Sequence, residues 1–243
     1  MTQWTERTEL LLGAKGLERL RASRVAVVGV GGVGGYAAEM LVRSGLGHIL
    51  IIDNDEVASS NLNRQLLALH STLGQPKVEV LRRRLLDINP DLDIAVVAEY
   101  VSEENMPEIM ASQGRLDFVV DAIDTLSPKI ALIQYCLGNG IPLVSSMGSG
   151  AKADATMVRI ADISKTYQDP LAYMVRKRLH KLGIYKGFLA VFSGELPRKD
   201  SMVLEESRNK RSQVGTISYM PAVFGCVCAQ AVITRIAGLT ENF

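Results

Sequence analysis

The chain has 243 residues, 47% of them hydrophobic and 22% charged, a size and balance that allow one large core, or one core with a small appended region, and exclude a disordered chain. Its 27 Lys and Arg nearly match its 26 Asp and Glu, which excludes the global field of a strongly basic nucleic-acid binder. Any basic surface therefore has to be local.

Residues 6–20 carry Leu10, Leu11, Leu17 and Leu20 between charges, the pattern of a short amphipathic helix weakened at Gly13 and Gly16. Residues 24–28 predict a Val-rich buried strand. A glycine loop and a helix over roughly 32–44 follow, stopped by Gly45 and Gly47. Residues 48–53 form the second strand, 54–73 a polar loop with a short helix, and 75–88 a helix ended by Asn89-Pro90. A third strand covers 93–99 and a helix capped by Ser102 covers 103–113. The fourth strand is 116–121. A helix to about residue 138 follows, with Ser127 as its cap and Pro128 at its first position, and 143–146 is the fifth strand. This alternation predicts an α/β fold, a Rossmann-like doubly wound and mostly parallel sheet.

After Gly148-Ser149-Gly150 the pattern changes. Residues 156–163 read as a strand of antiparallel character, 170–182 as a basic helix, 188–194 as a strand and 197–215 as a charged, mobile loop. The apolar stretch 220–239 contains Pro221, Gln230 and Arg235 and predicts a buried helix, with no membrane span. Peripheral membrane contact is left open by the composition. The expected organisation is a nucleotide-binding unit over 1–146 and a smaller C-terminal extension over 147–243, packed on the same core and adding antiparallel strands and helices. Residues 1–9 are polar, without a signal-peptide core. Three cysteines, Cys136, Cys226 and Cys228, form neither a disulfide scaffold nor paired CxxC zinc sites, so a reducing cytoplasm is the expected compartment. They read as small hydrophobes, since a reactive thiol needs an exposed, electropositive setting.

The sequence Gly29-Val30-Gly31-Gly32-Val33-Gly34 fits G-x-G-x-x-G between a strand and a helix. Gly29 permits the tight turn, Gly31 and Gly32 let phosphates approach the backbone, and Gly34 packs helix on strand, leaving helix N–H groups for an anion. Asp53, at the end of the second strand, is placed to accept bonds from ribose hydroxyls. To this point NAD fits as well as ATP. The next segment separates them: Asp53-Asn54-Asp55 leads to Asn61, Arg64 and then Lys77 around the glycine motif. A nucleophile attacking an ATP phosphate meets like-charge repulsion, and cations over the phosphates relieve it. Asp121 and Asp124, ending the fourth strand, are candidate Mg²⁺ carboxylates. Either of them could instead cap the following helix.

Together these motifs resemble the adenylating superfamily of ubiquitin-activating enzymes and their bacterial relatives in thiamin and molybdopterin synthesis. The resemblance covers residues 4–146, through ERTELLLG, VVGVGGVGGYAAEML, IIDNDEVASSNLNRQ, GQPKVE, INPDL and VVDAIDT. It implies that Asp53 binds ribose, that Asn61, Arg64 and Lys77 contact the triphosphate and that Asp124 binds Mg²⁺. It also implies that Arg7 reaches the neighbouring subunit's ATP site in a homodimer. The segments 162–171, 191–195 and 215–225 resemble the tRNA threonylcarbamoyladenosine dehydratases, which use ATP to activate the threonyl carboxyl of a modified adenosine next to the tRNA anticodon and close a ring. The expected partner is then tRNA, with Lys165, Arg176, Lys177 and Arg178 as contacts. His180, Lys181 and Lys186, and the loop residues Arg198, Lys199, Arg208, Lys210 and Arg211, extend the basic surface. A cysteine desulfurase or sulfur-acceptor system is a further candidate partner. The alternatives are an adenylyltransferase for the C-terminus of a ubiquitin-like sulfur carrier, a nicotinamide-dependent oxidoreductase and a nucleotide-binding scaffold.

Overall fold

The computed structural model of the protein describes residues 3–112, 114–204 and 212–239. Its centre is a seven-stranded sheet whose inner strands are buried on both faces, as parallel strands are when helices cover both sides. The first five strands are β1 (Arg24–Val28), β2 (His48–Ile52), β3 (Asp93–Val97), β4 (Phe118–Asp121) and β5 (Leu143–Ser146). β6 (Val158–Asp162) and β7 (Leu189–Ser193) come from the second half of the chain and extend the same sheet. The order is β3-β2-β1-β4-β5-β7-β6, parallel throughout except that β6 runs antiparallel to β7.

Alternation along β1 sorts the core. Val25 and Val27 join one hydrophobic layer and Ala26 and Val28 the other, because successive side chains leave a strand on opposite faces. The first layer takes Leu41 and Val42 of α2 (Gly34–Arg43), Leu81 and Leu85 of α3 (Lys77–Ile88), and Phe224 and Val232 of α7 (Tyr219–Ala237). The second takes Met106 and Met110 of α4 (Met106–Ala111), Ile133 of α5 (Leu126–Gly138), and Val175 and Leu179 of α6 (Pro170–His180). The remaining helix, α1 (Glu6–Ala22), lies against α7 and is interrupted at Gly13, whose φ of 73° is left-handed. By length and composition α7 could cross a membrane, yet Phe224, Cys228 and Val232 are wholly buried in the core against α2 and the sheet.

Three local expectations need correction. Ser127 is not a cap: α5 starts at Leu126 after Thr125. Pro128 is the third helical residue, tolerated because amides of the first turn have no intrahelical acceptor. Ser102 does make capping bonds, since its Oγ accepts from the Asn105 N–H at 3.4 Å and its own N–H donates to Asn105 Oδ1 at 2.8 Å, but regular helix α4 begins only at Met106 and not at 103. The expected loop 197–215 contains two three-residue strands, β8 (Met202–Leu204) and β9 (Ser212–Val214), paired antiparallel. Strands so short carry too little alternation to be read. Arg208, Lys210 and Arg211 lie outside the described residues.

The register sets up the site. Val28 pairs with Ile52 on one side and Asp121 on the other, so the loops after β1, β2 and β4 leave the same edge of the sheet. The chain reverses strand order between β1 and β4, the position where doubly wound sheets open a crevice.

Candidate active site

A cleft of about 830 Å³ occupies that crevice, within the range of small-molecule sites. The glycine loop forms one wall. Gly29 has φ of 85°, and a Cβ there would stand 2.8 Å from the Ala122 carbonyl oxygen. A Cβ on Gly34 would stand 1.8 Å from the Gly29 carbonyl oxygen, so only hydrogen fits. Gly31 differs: the nearest protein atom to an added Cβ is Gln65 Nε2 at 3.5 Å. The fold itself leaves room at Gly31, as a loop must if a ligand is to lie on its backbone. In the first turn of α2 the Gly35 and Ala37 amides donate to the Gly31 and Val33 carbonyls at 3.1 and 3.0 Å, so an anion at this helix end would be met by the loop amides before them.

Asp53 braces this loop. Its Oδ2 accepts from the Val30 N–H at 2.7 Å and its Oδ1 from the Asp55 N–H at 2.9 Å. Burial pushes its pKa above the usual carboxylate value, against the opposing pull of Lys77 and the two amides. A carboxylate has about four acceptor positions, so these two bonds leave capacity for a ribose hydroxyl. The bracing contact was not legible in the sequence.

Lys77, the first residue of α3, is 4% exposed and donates from Nζ to Asp55 Oδ2 at 2.7 Å. A lysine buried in a cleft wall is not an ordinary solvated cation. Asn61 is buried and its Oδ1 accepts from the Ala58 N–H at 3.0 Å, which fixes the loop that carries Arg64. Arg64 is held through Nη1 by the Ser60 carbonyl and Asn63 Oδ1, at 2.9 and 2.8 Å. Both line the cleft with Lys77 and Asp55. Gln65 joins them, 9% exposed, and its Oε1 has no hydrogen-bond partner. An orphaned buried amide costs about 1–3 kcal/mol, which a ligand donor at this wall would recover.

Asp124 is exposed and lines the facing side of the cleft. Asp121, expected beside it, is withdrawn beneath the site. Its side chain is 0% exposed and its Oδ2 accepts from Lys129 Nζ at 2.7 Å and from Ser145 Oγ at 2.6 Å, while Oδ1 accepts from the Ile123 N–H. Lys129 Nζ also reaches the Ser146 carbonyl at 3.0 Å. Asp121 is therefore a structural acid in a buried network and offers no carboxylate to the cleft.

The far end of the cleft is built by residues 146–150, Lys152, Met174 and Thr216. Here a second buried pair ties the loop after β5 to α6. Lys152 Nζ lies 2.7 Å from Asp169 Oδ2, and Asp169 Oδ1 caps α6 through the Ala172 N–H at 2.9 Å. Neither residue was singled out from the sequence. Arg176 also has a structural partner, since its guanidinium bonds to the Thr166 carbonyl and hydroxyl and holds α6 to the preceding turn. Lys165, Lys177 and Arg178 remain exposed. Arg7 is exposed on α1 and does not line this chain's cleft. Cys136 and Cys228 are buried, and burial pushes both thiols to about 12, far from thiolate formation near neutrality.

The ThiF family model matches residues 6–243. The chain belongs to the ThiF family. Within that family it is 45% identical, over 236 residues, to a tRNA threonylcarbamoyladenosine dehydratase of Bacillus subtilis, covering 96% of this chain and 89% of the relative. The fold superposes on the crystal structure of the Escherichia coli tRNA N6-threonylcarbamoyladenosine dehydratase in complex with ATP, with a TM-score of 0.89 and 36% identity over 98% of this chain and 95% of that one. The same enzyme in complex with AMP gives a TM-score of 0.87 and 38% identity, with the same coverage.

Proposed function

We propose that this family member is an ATP-dependent tRNA threonylcarbamoyladenosine dehydratase, which adenylates the carboxylate of that nucleoside in tRNA and cyclises it. One observation carries the reading: the likeness to the dehydratases spans both halves of the chain, including the segments that build the far end of the cleft. Nucleotide chemistry is assigned to 1–146 and tRNA binding to 147–243.

A substrate carboxylate oxygen attacks the α-phosphorus of ATP, the bond to the bridging oxygen breaks and pyrophosphate leaves. The carbamoyl group of the same substrate then attacks the acyl carbon, AMP leaves and a proton is lost to solvent. The nucleophile is part of the substrate, so tethering supplies a high effective concentration for ring closure and no protein nucleophile is needed. The protein contributes positioning and charge: Asp53 toward the ribose, the Gly29–Gly34 loop with Asn61 along the phosphates, and Arg64 and Lys77 against their negative charge. The exposed Asp124 carboxylate suits a hard cation. Asp124 would hold Mg²⁺ together with phosphate oxygens and water, and the ion would supply charge neutralisation. The proposed reaction transfers no sulfur, so it requires no desulfurase or sulfur acceptor. Its setting is the cytoplasm, where tRNA is found.

The reading includes a homodimer in which Arg7 completes the partner's site. Its support is the exposure of Arg7 beside Leu10 and Leu11, which are 83% and 78% exposed on α1. Mixing Arg7→Ala and Lys77→Ala chains is expected to restore activity, because one site in each mixed dimer keeps both cations. Exchanged dimers that stay inactive would refute the shared site. The function as a whole is tested by the nucleoside product of the ATP-dependent reaction on tRNA.

A further inference from the structure

Residues 170–187 contain five Lys or Arg and no Asp or Glu. They also keep aromatic and thioether side chains in solvent: Tyr173 is 55%, Met174 40% and Tyr185 61% exposed. Single exposed apolar residues are ordinary, but this group interleaves with cations and begins at the cleft. Pro170, Leu171 and Met174 of α6 line the cleft itself. On a helix, residues three and four apart share a face. Tyr173 therefore stands over Lys177 and Met174 over Arg178, and the track runs on to His180, whose ring meets that of Tyr185 at 4.9 Å. From Pro170 to His180 the helix advances about 15 Å.

We infer that this face of α6 is a stacking platform for the unpaired bases flanking the target nucleotide, with Tyr173 at the lip of the cleft and Tyr185 at the outer end. The inference rests on the proposed tRNA reading and adds to it which side chains grip bases and which grip phosphates. Aromatic faces accept any base, and cations between them follow the backbone, a combination suited to a single-stranded loop and poorly suited to a duplex. Arg176 is anchored through Nη1 to Thr166, which fixes its guanidinium against the turn before α6. Lys177 and Arg178 are the exposed cations that remain beside Tyr173. An anionic membrane surface would also meet cations and tyrosines, but it would not explain a track that starts inside a cleft.

The test is binding of a fluorescent anticodon stem-loop RNA to the full chain, followed by anisotropy. Tyr173→Ala and Tyr185→Ala are each expected to weaken binding about tenfold, with Tyr173→Phe close to wild type and ATP affinity unchanged. Lys177→Glu with Arg178→Glu should weaken binding and flatten its salt dependence. A fully paired hairpin should compete poorly. Alanine variants that bind within twofold of wild type overturn the platform. So does competition by the paired hairpin equal to that of the loop, or tighter binding to anionic phosphatidylserine vesicles than to RNA. Loop binding that depends on Tyr173 without any nucleoside conversion would leave the platform standing and remove the proposed reaction, so the two failures are distinct.

Discussion

Lys77→Ala is expected to slow AMP formation by about 10²–10³-fold while the protein stays folded. The buried ammonium sits in the cleft wall, and its protein partner Asp55 has a side chain 60% exposed. Removing Lys77 leaves Asp55 to water, while the partly buried Asp53 loses the charge that opposes its desolvation, a moderate cost in stability. What is lost is a positive charge where phosphate charge develops, in a site where water screens it poorly. Asp124→Ala is expected to act on the same step, with partial recovery as Mg²⁺ is raised. The measurement is single-turnover AMP release, alongside circular dichroism spectra that match wild type. Normal rates in Lys77→Ala would remove it from the phosphate site, and normal rates in Asp124→Ala would make that acid a loop residue.

The second large effect lies below the cleft. Lys129→Ala is expected to destabilise the protein by about 3–5 kcal/mol, because it strands the Asp121 carboxylate without its cation in a fully buried position. Both side chains are 0% exposed. Stabilities of single domains run to only about 5–15 kcal/mol, so the variant stands near unfolding at ordinary temperature. Replacing both charges, as Asp121→Asn with Lys129→Met, should recover part of the loss, since no lone ion remains. Urea unfolding of the three proteins decides this, and a loss under about 1 kcal/mol in Lys129→Ala would contradict the buried-pair account. The same network means that inactivity of an Asp121→Ala protein would not identify a metal ligand.

The glycine loop, Asp53, Asn61, Arg64 and Lys77 were legible because each belongs to a short motif whose neighbours in sequence are neighbours in the cleft. The division between Asp121 and Asp124 was not. It depends on Lys129 and Ser145, 8 and 24 residues further along, brought together only by the pairing of β4 with β5. A signal did exist: Lys129 is the one charged residue in the apolar helix 126–138, and a lone cation in such a helix asks for a buried acid. Lys152 and Asp169 carry the same lesson, with partners 17 residues apart in sequence. The Asp169-Pro170 pair was readable as a helix start, but which cation Asp169 would meet was not. Arg176 was read with its neighbours as one basic run. Composition cannot show that the turn before α6 places the Thr166 carbonyl and hydroxyl within its reach.

The proposed reaction is defined by what it does to tRNA. Its most direct measurement is the mass of the modified nucleoside after tRNA carrying linear threonylcarbamoyladenosine is incubated with the protein, ATP and Mg²⁺, then digested gently enough to keep the ring closed. The expected product is a nucleoside lighter by one water, formed only with ATP, with one AMP per nucleoside converted and with conversion by Lys77→Ala slowed by about 10²–10³-fold. An unchanged nucleoside, together with adenylation of a Gly-Gly-tailed sulfur-carrier protein in the same buffer, would contradict it.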